Sequence, residues 1–425
     1  MCFLTRPVPT YWLLLFSNAM LKSKLKLLFV VLIAFVSISY AQSNYIPPAG
    51  TWEHRTPEQA KFDPAKLKEA IDFAKASEAK GPRSQELGLT QSFGQAPFGE
   101  IVGPTKDRGD ATGLIIRSGY IVAEWGEPLR VDMTHSVTKS FLSAVVGIAF
   151  DRKLIRSLQD RMADYAAPTY AYRPGQRFDV GEEFGTSRSL DLFATEHNRK
   201  ITWETMLRQT SDWEGTLWGK PDWADRPDRD SSKWLNRVRG EPGTAYEYND
   251  VRVNALALAA LNVWRRPLPQ VLKENIMDEI GASNTWRWYG YENSYVVIDG
   301  QIIQSVSGGG HWGGGMFINA YDMARFGLLT SRNGKWGNKQ LLSTEFIRQA
   351  KTPTPVQPTY GFMNWFLNTD KKLYPNAPAS AFVHVGNGTN MVYVDPENDI
   401  VIVARWIENN KINEFIGKIS ASLGK

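Results

Sequence analysis

The 425-residue chain is 43% apolar and 22% charged, which supplies a large core and excludes a disordered or fibrous protein. Its basicity is local: residues 1–41 hold Arg6, Lys22, Lys24 and Lys26 and no acid, so the formal charge of +5 falls to +1 without them. The remainder gives no electrostatic footing for nucleic acid, and because the sole cysteine is Cys2 it has neither disulfides nor a thiol nucleophile.

From Met20 the chain reads MLKSKLKLLFVVLIAFVSISYAQ, a basic start, an apolar run and a small-residue site at Ser39-Tyr40-Ala41. This pattern predicts a signal peptide over residues 1–41, cleaved before Gln42, and residues 1–19 read as a start codon taken too early. An uncleaved anchor is the other reading, but Leu27 to Ile38 is short against the roughly 20 apolar residues of a full span. The mature chain, 42–425, is thus expected to be secreted, in a bacterium to the periplasm, without stable membrane insertion.

Asp63 to Lys75 predicts a helix, opened by an Asp cap and a Pro in the first turn. Residues 81–112, rich in Gly, Pro and Gln, read as a long surface connection bordering a cleft. Ala111 to Glu127 reads as a hairpin turning at Ser118-Gly119. The segment MTHSVTKSFLSAVVGIAF, Met133 to Phe150, follows as an apolar helix with Ser136, Lys139, Ser140 and Ser143 along one stripe. Residues from about 151 to 300 read as a lobe of mostly short helices and irregular segments, dense in tryptophan, in which the mixed-charge run Asp222 to Arg239 is most simply solvated surface, the alternative being a gate to the cleft just before residues 248–250. Strands return at Tyr360 and at Ala381 to Trp406, turning at Asp395-Pro396-Glu397-Asn398, before a last amphipathic helix from about Lys411 to Leu423. The fold class expected is α+β: one antiparallel sheet completed by both chain ends, flanked by helices, with the helical lobe inserted.

Serine becomes a nucleophile only when a neighbour takes its proton, and a lysine one helical turn away is within reach. Four Ser-x-x-Lys matches occur, at Ser23, Ser77, Ser136 and Ser422, so the motif alone is weak. Only Ser136/Lys139 opens an apolar helix directly after a hairpin; the alternative there is a polar helix start with a solvated lysine. The five histidines show no zinc-ligand spacing, no Gly-x-Ser-x-Gly or nucleotide-binding loop occurs, and no metal or cofactor is expected.

Two more stretches lie at telling distances: Tyr248-Asn249-Asp250 leading into a helix, and His384-Val385-Gly386 on a strand. With them the chain resembles the serine β-lactamase and penicillin-binding protein superfamily, in particular its class C-like branch of esterases, amidases and 6-aminohexanoate-dimer hydrolases. The stretches ITWETMLRQTSDW and GGGMFINAYDMARFGLL are similar to further motifs of that superfamily, in the same order, so the resemblance spans most of residues 110–408.

The resemblance implies a β-lactamase-like fold and a serine hydrolase acting on a small-molecule ester or amide. Ser136 would be acylated, Lys139 would be its base, Tyr248 would pass the proton to the leaving group, and the N–H groups of Ser136 and Asn387 would form the oxyanion hole. Asn249, Asp250, His384 and Gly386 would contact substrate, as would Trp213 and Trp312 from segments that border the cleft in this family. His311 is a further candidate for substrate contact from its glycine-rich loop SGGGHWGGG, the alternative being a histidine that satisfies local hydrogen bonds. Two positions depart from the pattern: β-lactamases place an Asn at position 250 and a Lys at position 384. Both changes make a poorer host for an anionic β-lactam or D-Ala-D-Ala terminus. Asp250 is expected to face substrate or cap its helix, since pairing with Lys139 would oppose the lysine's role as base. The rival readings are a β-lactamase or D-Ala-D-Ala carboxypeptidase, and a non-catalytic cell-wall or ligand-binding protein of the same fold.

Overall fold

The computed structural model describes residues 45–172, 189–235 and 237–424; the expected signal peptide lies outside them. Residues from Tyr45 onward form one compact unit. Its first hairpin joins β1 (Thr112–Arg117) to β2 (Tyr120–Trp125). Ser118 and Gly119 both take positive φ, the two-residue turn whose twist matches that of the strands. Three C-terminal strands, β10 (Phe382–Gly386), β11 (Asn390–Asp395) and β12 (Ile400–Arg405), extend this hairpin, and β9 (Phe366–Leu367) closes the far edge. The resulting antiparallel sheet has the order β9-β10-β11-β12-β1-β2, with Thr112 opposite Arg405 and Arg117 opposite Ile400. The two chain ends do complete one sheet.

Both faces of this sheet are covered, because its strands are nearly continuous apolar runs that send successive side chains to opposite faces. Ile115, Ile400, Ile402 and Tyr393 pack with α1 (Pro64–Ala76) and α7 (Ile412–Ser422), while Leu114, Ile116, Val401 and Val403 face the main core. On that side lie α3 (Thr138–Asp151) and α6 (Ala320–Ser331). Helix α3 is buried from Thr138 to Ala149, its polar stripe of Lys139, Ser140 and Ser143 included.

Two expectations change. The stretch 81–112 carries α2 (Gln85–Phe93), capped by the Ser84 hydroxyl, which accepts from Leu87 N; this local cap organises a turn despite Gly88. The lobe expected over 151–300 to be mainly helical and irregular also carries strands. It holds α4 (Trp203–Leu207) and α5 (Asp250–Trp264), but also a hairpin of β6 (Arg287–Ile298) and β7 (Gln301–Val306) that turns at Asp299-Gly300. A second sheet joins β3 (Asp132–Met133), β8 (Gly315–Ile318), β6, β4 (Thr169–Tyr172) and β5 (Ser189–Leu190). Its edge strand β3 leads directly into the Ser136 segment. Among the described residues no helix is long and apolar enough to cross a membrane.

Candidate active site

Between β3 and α3 the chain makes a short 3₁₀ turn, His135–Val137, and His135 takes φ +49°, a conformation costly for a residue with a Cβ. Hydrogen bonds hold the turn in place. Thr134 N donates to Met316 O at 2.9 Å, Met316 N donates to Thr138 Oγ1 at 2.9 Å, and the His135 ring meets Gln85 Oε1 of α2 at 2.9 Å. Every neighbour from Asp132 to Ala149 is buried except Ser136, which is half-buried. One hydroxyl is thus presented at the end of an otherwise sealed helix.

Lys139 Nζ donates to Ser136 Oγ at 2.8 Å and to Asp250 Oδ1 at 2.6 Å. The Tyr248 ring is its third neighbour, with the centroid 4.6 Å from Nζ. Lys139 and Asp250 are both fully buried. Burial by itself would lower the lysine pKa, but Asp250 and Tyr248 outweigh it and hold it above its ordinary value. Burial likewise pushes Asp250 up, and Lys139, Arg226 and His311 together bring it below the usual carboxylate range. The resting site is therefore an ammonium facing a carboxylate. Gly309 makes room for the pair: a Cβ there would lie 1.7 Å from Asp250 Oδ1 and 2.2 Å from Lys139 Nζ.

Asp250 is thus the partner of Lys139, contrary to the sequence expectation, and the helix cap is its neighbour. Asn249 Oδ1 accepts from Arg252 N at 3.1 Å, and Asn249 Nδ2 donates to Asp222 O at 2.7 Å. The Asn249 side chain is buried and spent on these bonds.

The run Asp222 to Arg239 is not simple solvated surface. Asp222 and Asp225 are buried, and Arg239 and Arg252 reach in to Asp222 and Asp212. Arg226 Nη1 lies 2.5 and 2.6 Å from the two Asp225 oxygens and 3.1 Å from Asp250 Oδ2. Asp225 Oδ2 also accepts from Asp250 N. His311 Nδ1 stands 3.4 Å from Asp225 Oδ1 and 3.9 Å from Asp250 Oδ2, while its ring packs against Phe93 of α2 and Trp312. Burial holds His311 neutral down to about 3. Asp225, Asp250 and His311 bring three possible metal ligands within 4.8 Å of one another. Arg226 and Lys139 already neutralise these carboxylates, which opposes a further cation.

The remaining expected residues divide by depth. Gly386, at the end of β10, passes so close to the nucleophile turn that a Cβ would lie 2.0 Å from Thr134 O and 2.9 Å from Ser136 N. Asn387 follows it, exposed, on a cleft of about 570 Å³ that Gln91, Ser92 and Asn409 also line. His384 lies on the sheet beneath: Nδ1 meets Ser140 Oγ at 3.0 Å, the ring packs on Trp365, and burial lowers its pKa to about 3. Trp213 is in the core, its Nε1 donating to Leu192 O at 2.6 Å, and Trp312 is buried with its ring 6.4 Å from that of Tyr291. The structure brings Ser136, Lys139, Tyr248 and Asp250 together with Gly386 and Asn387 alongside, and leaves the side chains of Asn249, His384 and Trp213 committed inside the protein. Sequence reasoning missed Asp225, Arg226 and Phe93; an acid flanked by charges on a polar loop carries no local sign of burial.

The fold has relatives. A 6-aminohexanoate-dimer hydrolase, as the Bacillus anthracis protein is described, superposes with a TM-score of 0.52 over 89% of each chain at 17% identity. A family VIII carboxylesterase gives 0.51 over 84% of this chain and 98% of its own at 15% identity. A penicillin-binding protein homologue from Caulobacter crescentus gives 0.51 over 85% and 99% at 13% identity. Among curated proteins, one from Escherichia coli O157:H7 described as a D-alanyl-D-alanine carboxypeptidase is 23% identical, over 38% of this chain and 45% of its own, less than half of that relative's length. The beta-lactamase family model matches residues 133–406, from the strand before Ser136 to the end of the main sheet, and the chain belongs to that family.

Proposed function

We propose that this protein is an exported serine hydrolase that cleaves a carboxylic ester or amide through an acyl-enzyme on Ser136. Family membership supports hydrolase chemistry in general. The observation that carries the specific reading is the half-buried Ser136 Oγ, 2.8 Å from a buried lysine nitrogen.

In this reading Ser136 Oγ attacks the substrate carbonyl carbon and its proton passes to Lys139 Nζ, so Lys139 must first be in its free-base form. The N–H groups of Ser136 and Asn387 receive the oxyanion, a placement favoured by the close approach of Gly386 to Ser136 N. The C–O or C–N bond then breaks as Tyr248 delivers a proton to the leaving group and takes up the one held on Lys139. Water then attacks the acyl carbon, the ester bond to Ser136 Oγ breaks, and a proton from that water returns to the serine as the acid leaves. Because Asp250 holds Lys139 as an ammonium, the reaction draws on the minor fraction of molecules whose lysine has lost its proton. Its rate climbs as pH rises toward the raised lysine pKa.

A second reading, a β-lactamase or D-Ala-D-Ala carboxypeptidase, is favoured by the description of the Escherichia coli relative. The buried, neutral His384 in the third motif offers no fixed cation to the carboxylate such substrates carry. Intact-protein mass spectrometry after a fluorophosphonate probe tests the proposal. One adduct on the Ser136 peptide, absent from Ser136→Ala, is expected; no adduct on folded wild type would refute it. A p-nitrophenyl ester and a chromogenic cephalosporin separate the two readings, and comparable rates on both would overturn the preference for esters and amides.

A further inference from the structure

Asp250 has two oxygens and two cations. Oδ1 serves Lys139 at 2.6 Å, while Oδ2 lies 3.1 Å from Arg226 Nη1, and that same nitrogen sits closer, at 2.5 and 2.6 Å, to Asp225. The Asp250 backbone N–H donates to Asp225 Oδ2, so the two acids are fixed relative to each other. Asp225 and Asp250 are sealed from solvent, whereas the Arg226 side chain is 38% exposed and packs over the Tyr248 ring at 5.0 Å. Of the Arg226 guanidinium nitrogens, Nη1 is the one that donates hydrogen bonds to the described residues.

We propose that Asp225 and Arg226 are positioning residues for the hydrolysis: by sharing Asp250, the Arg226 guanidinium sets how firmly Asp250 holds the proton on Lys139, and Asp225 sets how much of that guanidinium Asp250 receives. The proposal rests on the serine-hydrolase reading, in which a free-base Lys139 takes the Ser136 proton. A carboxylate already paired with one cation binds a second less strongly, and buried charges are screened little by salt. Removing Arg226 leaves Asp250 wholly to Lys139 and makes the lysine harder to deprotonate. Removing the Asp225 charge releases Arg226 toward Asp250 and makes it easier. The other titratable groups facing the cluster are Tyr248, Tyr246 and Tyr291, Lys220 beyond His311, and two imidazoles, His311 and His135. Burial holds the Tyr246 and Tyr291 phenols protonated. Burial keeps both histidines neutral above about pH 5, with folded pKa values of about 3 and about 4. Burial pushes Asp225 up to about 7 in spite of Arg226, so near neutral pH its charge is the one that changes.

The test is the rate of fluorophosphonate labelling of Ser136 from pH 6 to 10, which needs no knowledge of the natural substrate. Relative to wild type, Arg226→Met is expected to move the pH–rate profile up by about one unit, lowering the rate near pH 7.5 about tenfold. Arg226→Lys, which keeps the charge, should restore it. Asp225→Asn should move the profile down, and Asp250→Asn further down. In the Asp250→Asn background, Arg226→Met should shift the profile by less than half as much, because its intermediary is gone. Circular dichroism checks folding; if Asp225→Asn fails to fold, the partly exposed Arg226 variants decide alone. Folded Arg226 variants whose profiles superimpose on wild type, or a downward shift in Arg226→Met, overturn the proposal while labelling of wild type leaves the serine-hydrolase reading intact. Absence of wild-type labelling at every pH overturns that reading and this proposal with it.

Discussion

Gly386→Ala probes the contact between β10 and the nucleophile turn. The added Cβ would lie 2.0 Å from Thr134 O, over an ångström inside ordinary contact, and 2.9 Å from Ser136 N. Both atoms belong to the clamped turn before α3, so relief must come from β10, which carries the Asn387 amide away from Ser136. Oxyanion donors act within about 0.5 Å of their productive position, and the loss of one costs about 10²–10³ in rate. The strain itself costs about 1–3 kcal/mol. The assay is kcat and KM on a p-nitrophenyl ester alongside denaturant unfolding. The fall should appear in kcat, since the interaction exists only in the transition state. A folded variant that is measurably destabilised yet retains wild-type kcat would refute the placement of the Asn387 amide in the oxyanion hole.

Further outcomes follow from the buried charges. Asp250→Ala strands Lys139 without its partner and should cost about 3–5 kcal/mol in denaturant unfolding at pH 7. The folded pKa of Asp250 lies below its unfolded value of 3.8, so its share of stability is present above about pH 4 and is lost as pH falls through the folded value; Asp250→Asn should remove that part of the acid limb. His135, His311 and His384 behave differently: their folded pKa values of about 4, about 3 and about 3 lie below the ordinary 6.5, so the unfolded chain binds protons first. Stability should fall as pH drops below about 6.5, approaching about 1.4 kcal/mol per pH unit for each histidine. Asp225, whose folded pKa of about 7 lies above its unfolded value, offsets about one of the three between pH 6 and 5, so His384→Gln should reduce the slope measured there by about half. Asn249→Ala removes a helix cap and should cost about 1–2 kcal/mol.

Local signals were legible where one short stretch suffices. The Asp63 cap, the Ser118-Gly119 turn and the apolar C-terminal strands on either side of the Asp395–Asn398 turn all form as their residues dictate. The Asp299-Gly300 hairpin carried an equally good turn signal, yet the tryptophan-rich surroundings hid it. The α2 cap at Ser84 was obscured in the same way by the Gly and Pro around it.

The sequence by itself determined that the two ends share a sheet, that Ser136 and Lys139 lie one turn apart on an apolar helix, and that three motifs stand in the order of a known family. Each of these depends on residue type and spacing along the chain. Only the tertiary structure decided which side chains near those motifs reach the site. It buried His384 beneath the sheet and made Asn249 a cap, leaving Asp250 to pair with Lys139. It also drew Asp225 and Arg226 out of a polar loop into contact with that pair. The physical reason is that an ion pair between residues over a hundred positions apart depends on burial and on the course of other segments, such as Gly309, and those are properties of the packed molecule.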